Sequence, residues 1–130
     1  MTGIDTNILV RLFVQDDRDQ SIRVDTLLQS LSSNHPGFVP SVALAELAWV
    51  LRTRYGVSKP QIIGHIQQLL DSPEIVLENE AALKQALRRF GNTNADFADC
   101  LIERVSHHAG CTHTVTFDIA ASKSTGMVLL

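Results

Sequence analysis

The chain has few of the residues that mark secreted, disulfide-stabilised or membrane-spanning proteins. It has two cysteines, four prolines, one tryptophan and one tyrosine among 130 residues. Cys100 and Cys111 match neither a disulfide framework nor a zinc pattern, so we expect free thiols. No apolar run approaches the roughly 20 residues of a membrane span, and the N-terminus lacks the basic-then-apolar pattern of a secretory signal. We therefore expect a cytoplasmic chain with no membrane partner.

Positive charge is also scarce in this chain. Eleven Lys and Arg residues stand against 14 Asp and Glu residues, for a formal net charge of −3. This balance argues against a protein that grips nucleic acid by bulk positive charge, although metal ions can reverse the sign of an acidic site. No glycine-rich loop that could cradle phosphates is present. The 45% of hydrophobic residues suffices for a core, and the length predicts one domain, residues 1–130.

Strand-like and helix-like patterns alternate along the chain. The predicted strands are 2–5, 38–40, 74–77, 111–117 and 127–130. The predicted helices are 7–15, a second that begins near residue 16, 41–55, 59–70, 79–91, and one from residue 94 or 95 to about 108. Ser41 and Ser58 are the predicted N-caps of the third and fourth helices. The inward residues of the second helix are predicted to be Ile22, Leu27, Leu28 and Leu31. Such alternation predicts an α/β fold with a parallel sheet covered on both faces, whose ligands bind at the carboxyl ends of the strands.

Four acidic residues stand where a carboxylate is unfavourable unless it has a function: Asp5, Glu46, Asp99 and Asp118. Asp5 and Asp118 each follow a predicted strand, so we expect both at the same edge of the sheet. If the fold also brings Glu46 and Asp99 there, the four form a pocket of oxygen ligands for a hard divalent cation. Such a pocket would support metal-assisted hydrolysis of phosphodiester bonds.

Glu46 and Asp99 lie inside helical segments, where their charge is harder to explain. The residues three and four positions from Glu46 are mostly apolar, which predicts a carboxylate in an unfavourable, apolar surrounding. Asp96 and Asp99 are three residues apart on one helical face, where like charges repel. The helix dipole alone can explain a negative charge at Asp96, near the helix N-terminus. We expect Asp99 about a turn further in, where the dipole favours a negative charge less.

Ordinary structural roles are the alternative for most of these side chains. An aspartate that precedes a helix, as Asp5 and Asp118 do, is commonly an N-cap. Trp49 is interpreted as a core or interface residue, and Arg88 and Arg89 as part of a solvated helix face. The conjunction of four carboxylates, more than any one of them, favours a functional site.

Four segments of the chain resemble the sequence blocks of PIN domains and occur in the same order. They are residues 4–11 (IDTNILVR), 46–52 (ELAWVLR), 95–102 (ADFADCLI) and 116–118 (TFD). The overall pattern is most similar to the VapC-type toxins of bacterial type II toxin–antitoxin pairs. This resemblance implies a three-layer α/β/α domain with a central parallel sheet of four or five short strands.

The resemblance also implies a function and a set of site residues. It implies a Mg²⁺- or Mn²⁺-dependent endoribonuclease held inactive by a cognate VapB-type antitoxin. Carried over by position, the catalytic residues are Asp5, Glu46, Asp99 and Asp118, and the metal ligands are Asp5, Asp96, Asp99 and Asp118, with Asp96 as an auxiliary ligand. Asn7 and Thr116 match polar positions that support the first and last aspartates. We expect a homodimer, and an antitoxin that inserts Arg or Lys among the carboxylates while its accompanying segment lies in a groove of early apolar helices.

Two other interpretations stay open. A receiver-type signalling domain also carries acidic residues at strand ends, with Thr116 and Lys123 as candidates for its late Thr and Lys. The predicted mid-chain strands lead to Ser41 and Glu78, however, so the phosphate-accepting Asp is missing. The non-enzymatic alternative is a degenerate PIN-like domain that only binds a partner or RNA, and the complete acidic set argues against it.

Overall fold

The strands of this chain are short, parallel and divided between two sheets. The computed structural model describes every residue from Met1 to Leu130, and these form two compact units, Met1–Glu78 and Asn79–Leu130. Five strands and seven helices alternate along the chain. The predicted α/β class is confirmed, with three strands in one sheet and two in the other rather than all in one.

The first unit contains the three-stranded sheet and four helices. The strands β1 (Thr2–Gly3), β2 (Gly37–Val39) and β3 (Ile75–Leu77) pair in parallel in that order. The helices are α1 (Thr6–Phe13), α2 (Arg18–Ser30), α3 (Ser41–Tyr55) and α4 (Lys59–Leu70). Helix α1 packs against α2 and α3, and α3 packs against α4. A Cβ at Gly37 in β2 would lie 2.9 Å from Ile4 Cδ1, so a larger residue there would require the Ile4 side chain to shift.

One face of α3 is buried and the other is exposed. The buried residues recur at helical spacing and are Ala43, Leu44, Leu47, Ala48 and Leu51. On the opposite face, Val42 is 65% exposed and Trp49 is 60% exposed. Of the two interpretations of Trp49, the core position is therefore wrong, because an apolar residue outside the buried stripe of a helix faces the solvent, and the interface position stays a prediction.

The inward face predicted for α2 is only partly right. Leu27, Leu28 and Leu31 are half-buried, whereas Ile22 is 55% exposed. Ser21 and Val24 are buried instead. Residues 21, 24, 28 and 31 lie at spacings of three and four and share one face, and Ile22 is rotated about 100° away from it.

Side-chain hydrogen bonds fix the starts of α3 and α4. Ser58 caps α4 in a capping box with Gln61, as predicted. The prediction that Ser41 caps α3 is wrong, since Pro40 occupies the cap position and Ser41 is the first helical residue. The Ser41 N–H donates to Glu78 Oε1 at 2.9 Å, and its hydroxyl donates to the Glu78 carbonyl at 3.2 Å.

The second unit contains three helices and the two-stranded sheet. Its elements are α5 (Glu80–Asn92), α6 (Phe97–His108), β4 (Val115–Thr116), α7 (Ile119–Ser124) and β5 (Val128–Leu129). Helices α5 and α6 pack against each other, and the rings of Phe90 and Phe97 meet edge to face at 5.6 Å. Strand β4 is much shorter than the predicted 111–117. Helix α7 is not among the predicted helices, but it confirms the capping alternative for Asp118. The two strands pair in parallel, and α7 contacts both.

Two simpler predictions concern the thiols and the membrane. Cys100 is buried and Cys111 exposed, and neither forms a disulfide, as predicted. None of the seven helices combines the length and apolar character that crossing a bilayer requires.

Candidate active site

In the first unit the predicted site residues are Asp5 and Glu46, with Asn7 in support. Asp5 follows β1 and is the N-cap of α1, where its Oδ1 accepts a hydrogen bond from the Thr6 N–H at 2.7 Å. The capping alternative for Asp5 is therefore confirmed. One carboxylate oxygen suffices for the cap, and the exposed side chain keeps Oδ2 for another ligand. Asn7 is exposed in the first turn of α1.

Glu46 lies in the middle of α3 on its exposed face. Its helical neighbours are apolar, but the prediction that they make its charge unfavourable is wrong. Val42 and Trp49, four residues before and three residues after Glu46, are themselves mostly exposed. Glu46 is thus a hydrated carboxylate beside two exposed apolar side chains.

In the second unit, Asp96 and Asp118 both begin helices. Asp96 is the N-cap of α6, and its Oδ1 accepts from the Ala98 N–H at 2.8 Å. Asp118 is the N-cap of α7, and its Oδ1 accepts from the Ala121 N–H at 3.1 Å. The Asp118 N–H in turn donates to Thr116 Oγ1 at 3.0 Å. Thr116 therefore contacts Asp118 directly, through the backbone rather than the carboxylate.

Asp99 differs from the capping aspartates in its surroundings. It is half-buried and makes no hydrogen bond or ion pair. Burial raises the pKa of its carboxyl group, and the negative charges of Asp96 and Asp118 raise it further. These three carboxylates of the second unit therefore interact electrostatically.

The start of α6 corrects one expectation about Asp99. A helix that began at residue 94 or 95 would place Asp99 beyond its first turn. Because the side chain of Asp96 caps the helix, the first helical residue is Phe97, and Asp99 lies in the first turn. The helix dipole there favours the ionised carboxylate, whereas burial and the two like charges favour the protonated form.

The donor chemistry of this group fits a hard divalent cation. Such ions prefer carboxylate oxygens, and a positive charge would relieve the repulsion that raises the pKa of Asp99. Within neither unit do three or more His, Cys, Asp or Glu side chains stand close enough together to hold a metal ion. The convergence of Asp5, Glu46, Asp99 and Asp118 on one ion stays a prediction.

A cluster that the sequence patterns missed lies further along α6. Glu103 is only 8% exposed and accepts hydrogen bonds from Arg104 Nε and Nη2, both at 2.7 Å. Arg89 Nη1 lies 3.4 Å from Glu103 Oε2. These contacts, chiefly the hydrogen bond from Arg104, lower the pKa of Glu103. Arg89 is half-buried, so the interpretation of Arg88 and Arg89 as one solvated face holds for Arg88 alone.

The comparison with known families agrees with the resemblance of the four sequence blocks. The PIN domain family matches residues 4–124, which is nearly the whole chain and includes every predicted site residue. The chain therefore belongs to the PIN domain family, whose members are typically metal-dependent nucleases. Among curated proteins none matches this chain at a significant level.

Proposed function

We propose that this chain is a metal-dependent endoribonuclease and the VapC-type toxin of a type II toxin–antitoxin pair. The observation that carries the proposal is the group of Asp96, Asp99 and Asp118, in which two carboxylates and burial raise the pKa of the third. Cation binding would explain why a PIN domain keeps carboxylates in such an unfavourable group. The proposal places the protein in the cytoplasm, with RNA as its substrate.

Each acidic residue has a proposed role. Asp5 and Asp99 are direct ligands of Mg²⁺ or Mn²⁺, with Asp118 and the auxiliary Asp96 as further ligands. Mg²⁺ keeps several of its waters, so two or three carboxylates suffice. When bound, the cation supplies positive charge for the scissile phosphate and lowers the pKa of a coordinated water.

The remaining site residues position the reacting groups. Glu46 is exposed and hydrated, so it is free to orient the attacking water or a second ion, a task that Asp118 shares. Thr116 supports Asp118 by accepting its backbone N–H, which holds the start of α7 in place. Asn7 supports Asp5 from the first turn of α1.

A cleavage assay tests the proposed function. A single-stranded RNA with a fluorophore and a quencher at its ends is incubated with the purified chain in Mg²⁺, in Mn²⁺, and in EDTA. We expect cleavage in either cation and none in EDTA. Asp5→Asn should lower the rate by about a hundredfold or more, because several kcal/mol of charge stabilisation would be lost.

Asp25→Asn is the matched control for this assay. Asp25 is an exposed aspartate of α2 with no proposed role, and its replacement makes the same change in charge. The control should cleave at the wild-type rate. Native-rate cleavage by Asp5→Asn would contradict the ligand assignment, and inactivity of the wild type in every cation would favour a PIN-like domain that only binds.

The proposed regulator is a cognate VapB-type antitoxin that inserts Arg or Lys among the carboxylates. A groove between α1 and α2, about 250 Å³ in volume, supports the accompanying contact. Its apolar residues are Ile8, Val24 and Leu27, and its polar residues are Asn7, Arg11, Gln20 and Arg23. This composition suits an amphipathic helix with apolar anchors and an acidic edge.

The regulation has its own test. Leu27→Asp should weaken the complex with the co-expressed antitoxin and restore RNA cleavage, since a charge would enter the apolar part of the groove. A structure of the complex with the carboxylates of Asp5 and Asp99 open to solvent would contradict the insertion. We also propose a homodimer, which sedimentation of the purified chain would test.

A further inference from the structure

A shallow cleft formed by α5 and α6 contains three arginines and no carboxylate. Its volume is about 450 Å³, and its residues are Gln85, Arg88, Arg89, Asn92, Thr93 and Arg104. The cleft therefore gathers three of the eleven basic residues of a chain whose net charge is −3.

Two of these arginines are held in place by the protein. Arg104 is fixed by Glu103 through Nε and Nη2, and its Nη1 donates to Gln85 Oε1 at 3.1 Å. Arg89 pairs with Glu103 and also donates to the carbonyl of Thr125. Guanidinium groups fixed in this way lose little further freedom when they bind a ligand.

The third arginine has no partner within the chain. Arg88 is exposed and makes no hydrogen bond or ion pair. Glu103 is the one carboxylate that pairs with the arginines of the cleft, so a net positive charge remains there. A guanidinium group binds a phosphate through two parallel hydrogen bonds, and the side chains of Asn92 and Thr93 add polar contacts.

We infer that this cleft binds phosphate groups of the RNA backbone and is a second contact surface for the substrate. The inference rests on the proposed function, because it takes RNA as the polyanion. A chain of net charge −3 has no overall attraction for RNA, so a local positive cleft that contacts phosphates would determine where the strand lies.

The test measures binding without cleavage. A fluorescein-labelled single-stranded oligoribonucleotide is titrated with the full chain in EDTA, and its fluorescence anisotropy is followed at several salt concentrations. Arg88→Glu should weaken binding about tenfold or more, the size of one charge-assisted hydrogen bond. It should also lower the slope of log Kd against log salt by about 0.7, the value for one lost phosphate contact on a single strand.

Arg18→Glu is the matched control. Arg18 is an exposed arginine at the start of α2, outside the cleft, and its reversal changes the net charge by the same amount. Binding by this variant should stay within about twofold of wild type. Unchanged binding by Arg88→Glu, or an equal loss in both variants, overturns the inference.

Two further arms separate the inference from its alternatives. A poly-glutamate peptide tests whether the cleft binds an acidic protein segment instead of RNA. If Arg88→Glu weakens binding of the peptide but not of RNA, the RNA assignment is overturned. Cleavage in Mg²⁺ is measured on the same preparations. If the chain binds RNA through Arg88 but cleaves none, the nuclease proposal is refuted and the RNA-binding cleft is retained. If the wild type cleaves RNA and Arg88→Glu binds it normally, only the proposal of an RNA-binding cleft is refuted.

Discussion

The starts of α2 and α6 carry similar acidic patterns in different surroundings. At α2, Asp17 is the N-cap and Asp19 lies in the first turn, where it pairs with Arg23 at 2.9 Å and both side chains are exposed. At α6, Asp96 is the N-cap and Asp99 lies in the first turn. Asp99 has no cationic partner, and burial and two like charges raise its pKa.

The difference shows what makes an acidic helix start a candidate site. Capping and the helix dipole account for the acidic residues at both starts, so neither feature distinguishes function from structure. Solvent and Arg23 satisfy Asp19, whereas the ionised Asp99 has no cationic partner, and its charge would be relieved by protonation or by a bound cation. The unfavourable carboxylate, and not the acidic pattern, is therefore the informative feature.

The largest expected difference between the two starts is in catalysis. Asp99→Asn should lower RNA cleavage in Mg²⁺ by about a hundredfold or more, since a proposed direct ligand is lost. Asp19→Asn, its counterpart in α2, should leave the rate unchanged. Equal rates for the two variants in single-turnover assays would remove the distinction between the two helix starts.

A second prediction compares Asp99 with Glu103, four residues later on α6. Glu103→Gln should destabilise the chain by about 2 kcal/mol, because its charged hydrogen bonds with Arg104 and Arg89 are lost. The folded-state pKa of Glu103 is lowered, so its stabilisation is present above the unfolded-state pKa and is lost as the pH falls through the folded-state pKa.

The pH dependence of Asp99 has the opposite sign. Its folded-state pKa is raised, so its favourable contribution is present below the unfolded-state pKa and is lost as the pH rises through the folded-state pKa. Thermal unfolding in EDTA at a series of acidic to neutral pH values measures both effects. Glu103→Gln should reduce the loss of stability at the lowest pH values. Asp99→Asn should remove the decline in stability that accompanies ionisation of Asp99 as the pH rises from its unfolded-state to its folded-state pKa. A parallel response of the two variants would contradict the opposite pKa shifts.

A third, smaller difference is expected between the two caps. Asp17→Ala should cost about 1 kcal/mol, the usual effect of losing an N-cap. Asp96→Ala should cost less, because removal of its charge also relieves the repulsion on Asp99. Urea unfolding midpoints of the two variants measure the difference, and an equal or larger loss for Asp96→Ala would show that the repulsion is negligible.

The smallest expected effect concerns stability without a cation. Asp99→Asn should stabilise the chain in EDTA by a few tenths of a kcal/mol, the size of a like-charge repulsion on a helix. Asp19→Asn should destabilise it by a similar amount, because its exposed ion pair with Arg23 is lost. Urea unfolding at neutral pH measures the change in the free energy of unfolding for each variant. Changes of the same sign in both variants would contradict the prediction.

Much of the secondary structure could be predicted because its signals are local. Ser58 and Gln61 form a capping box within one turn of chain, and Gly56 ends α3 with a φ of 61° that suits glycine. The last predicted strands are too long. The alternating residues of 111–117 predict a strand of seven residues, but only Val115 and Thr116 pair with a neighbouring strand.

The errors about individual side chains have a common cause. Trp49 and Ile22 are apolar and yet exposed, and the apolar neighbours of Glu46 in sequence do not desolvate it. Periodicity predicts which residues share a helix face, but the packing of neighbouring elements determines which face is covered. The sequence pattern therefore predicted an unfavourable charge at both Glu46 and Asp99, and only Asp99 has one in the structure.

The alternation of helices and strands and the capping positions of Asp5 and Asp118 can be predicted from the amino-acid sequence, since both depend on contacts within a few residues. The interaction of Asp99 with Asp118, the pairing of Glu103 with Arg89 and the cleft of three arginines arise from packing in three dimensions. Charge interactions depend on distance through space and on lost solvation, and neither quantity is written in the spacing of residues along the chain.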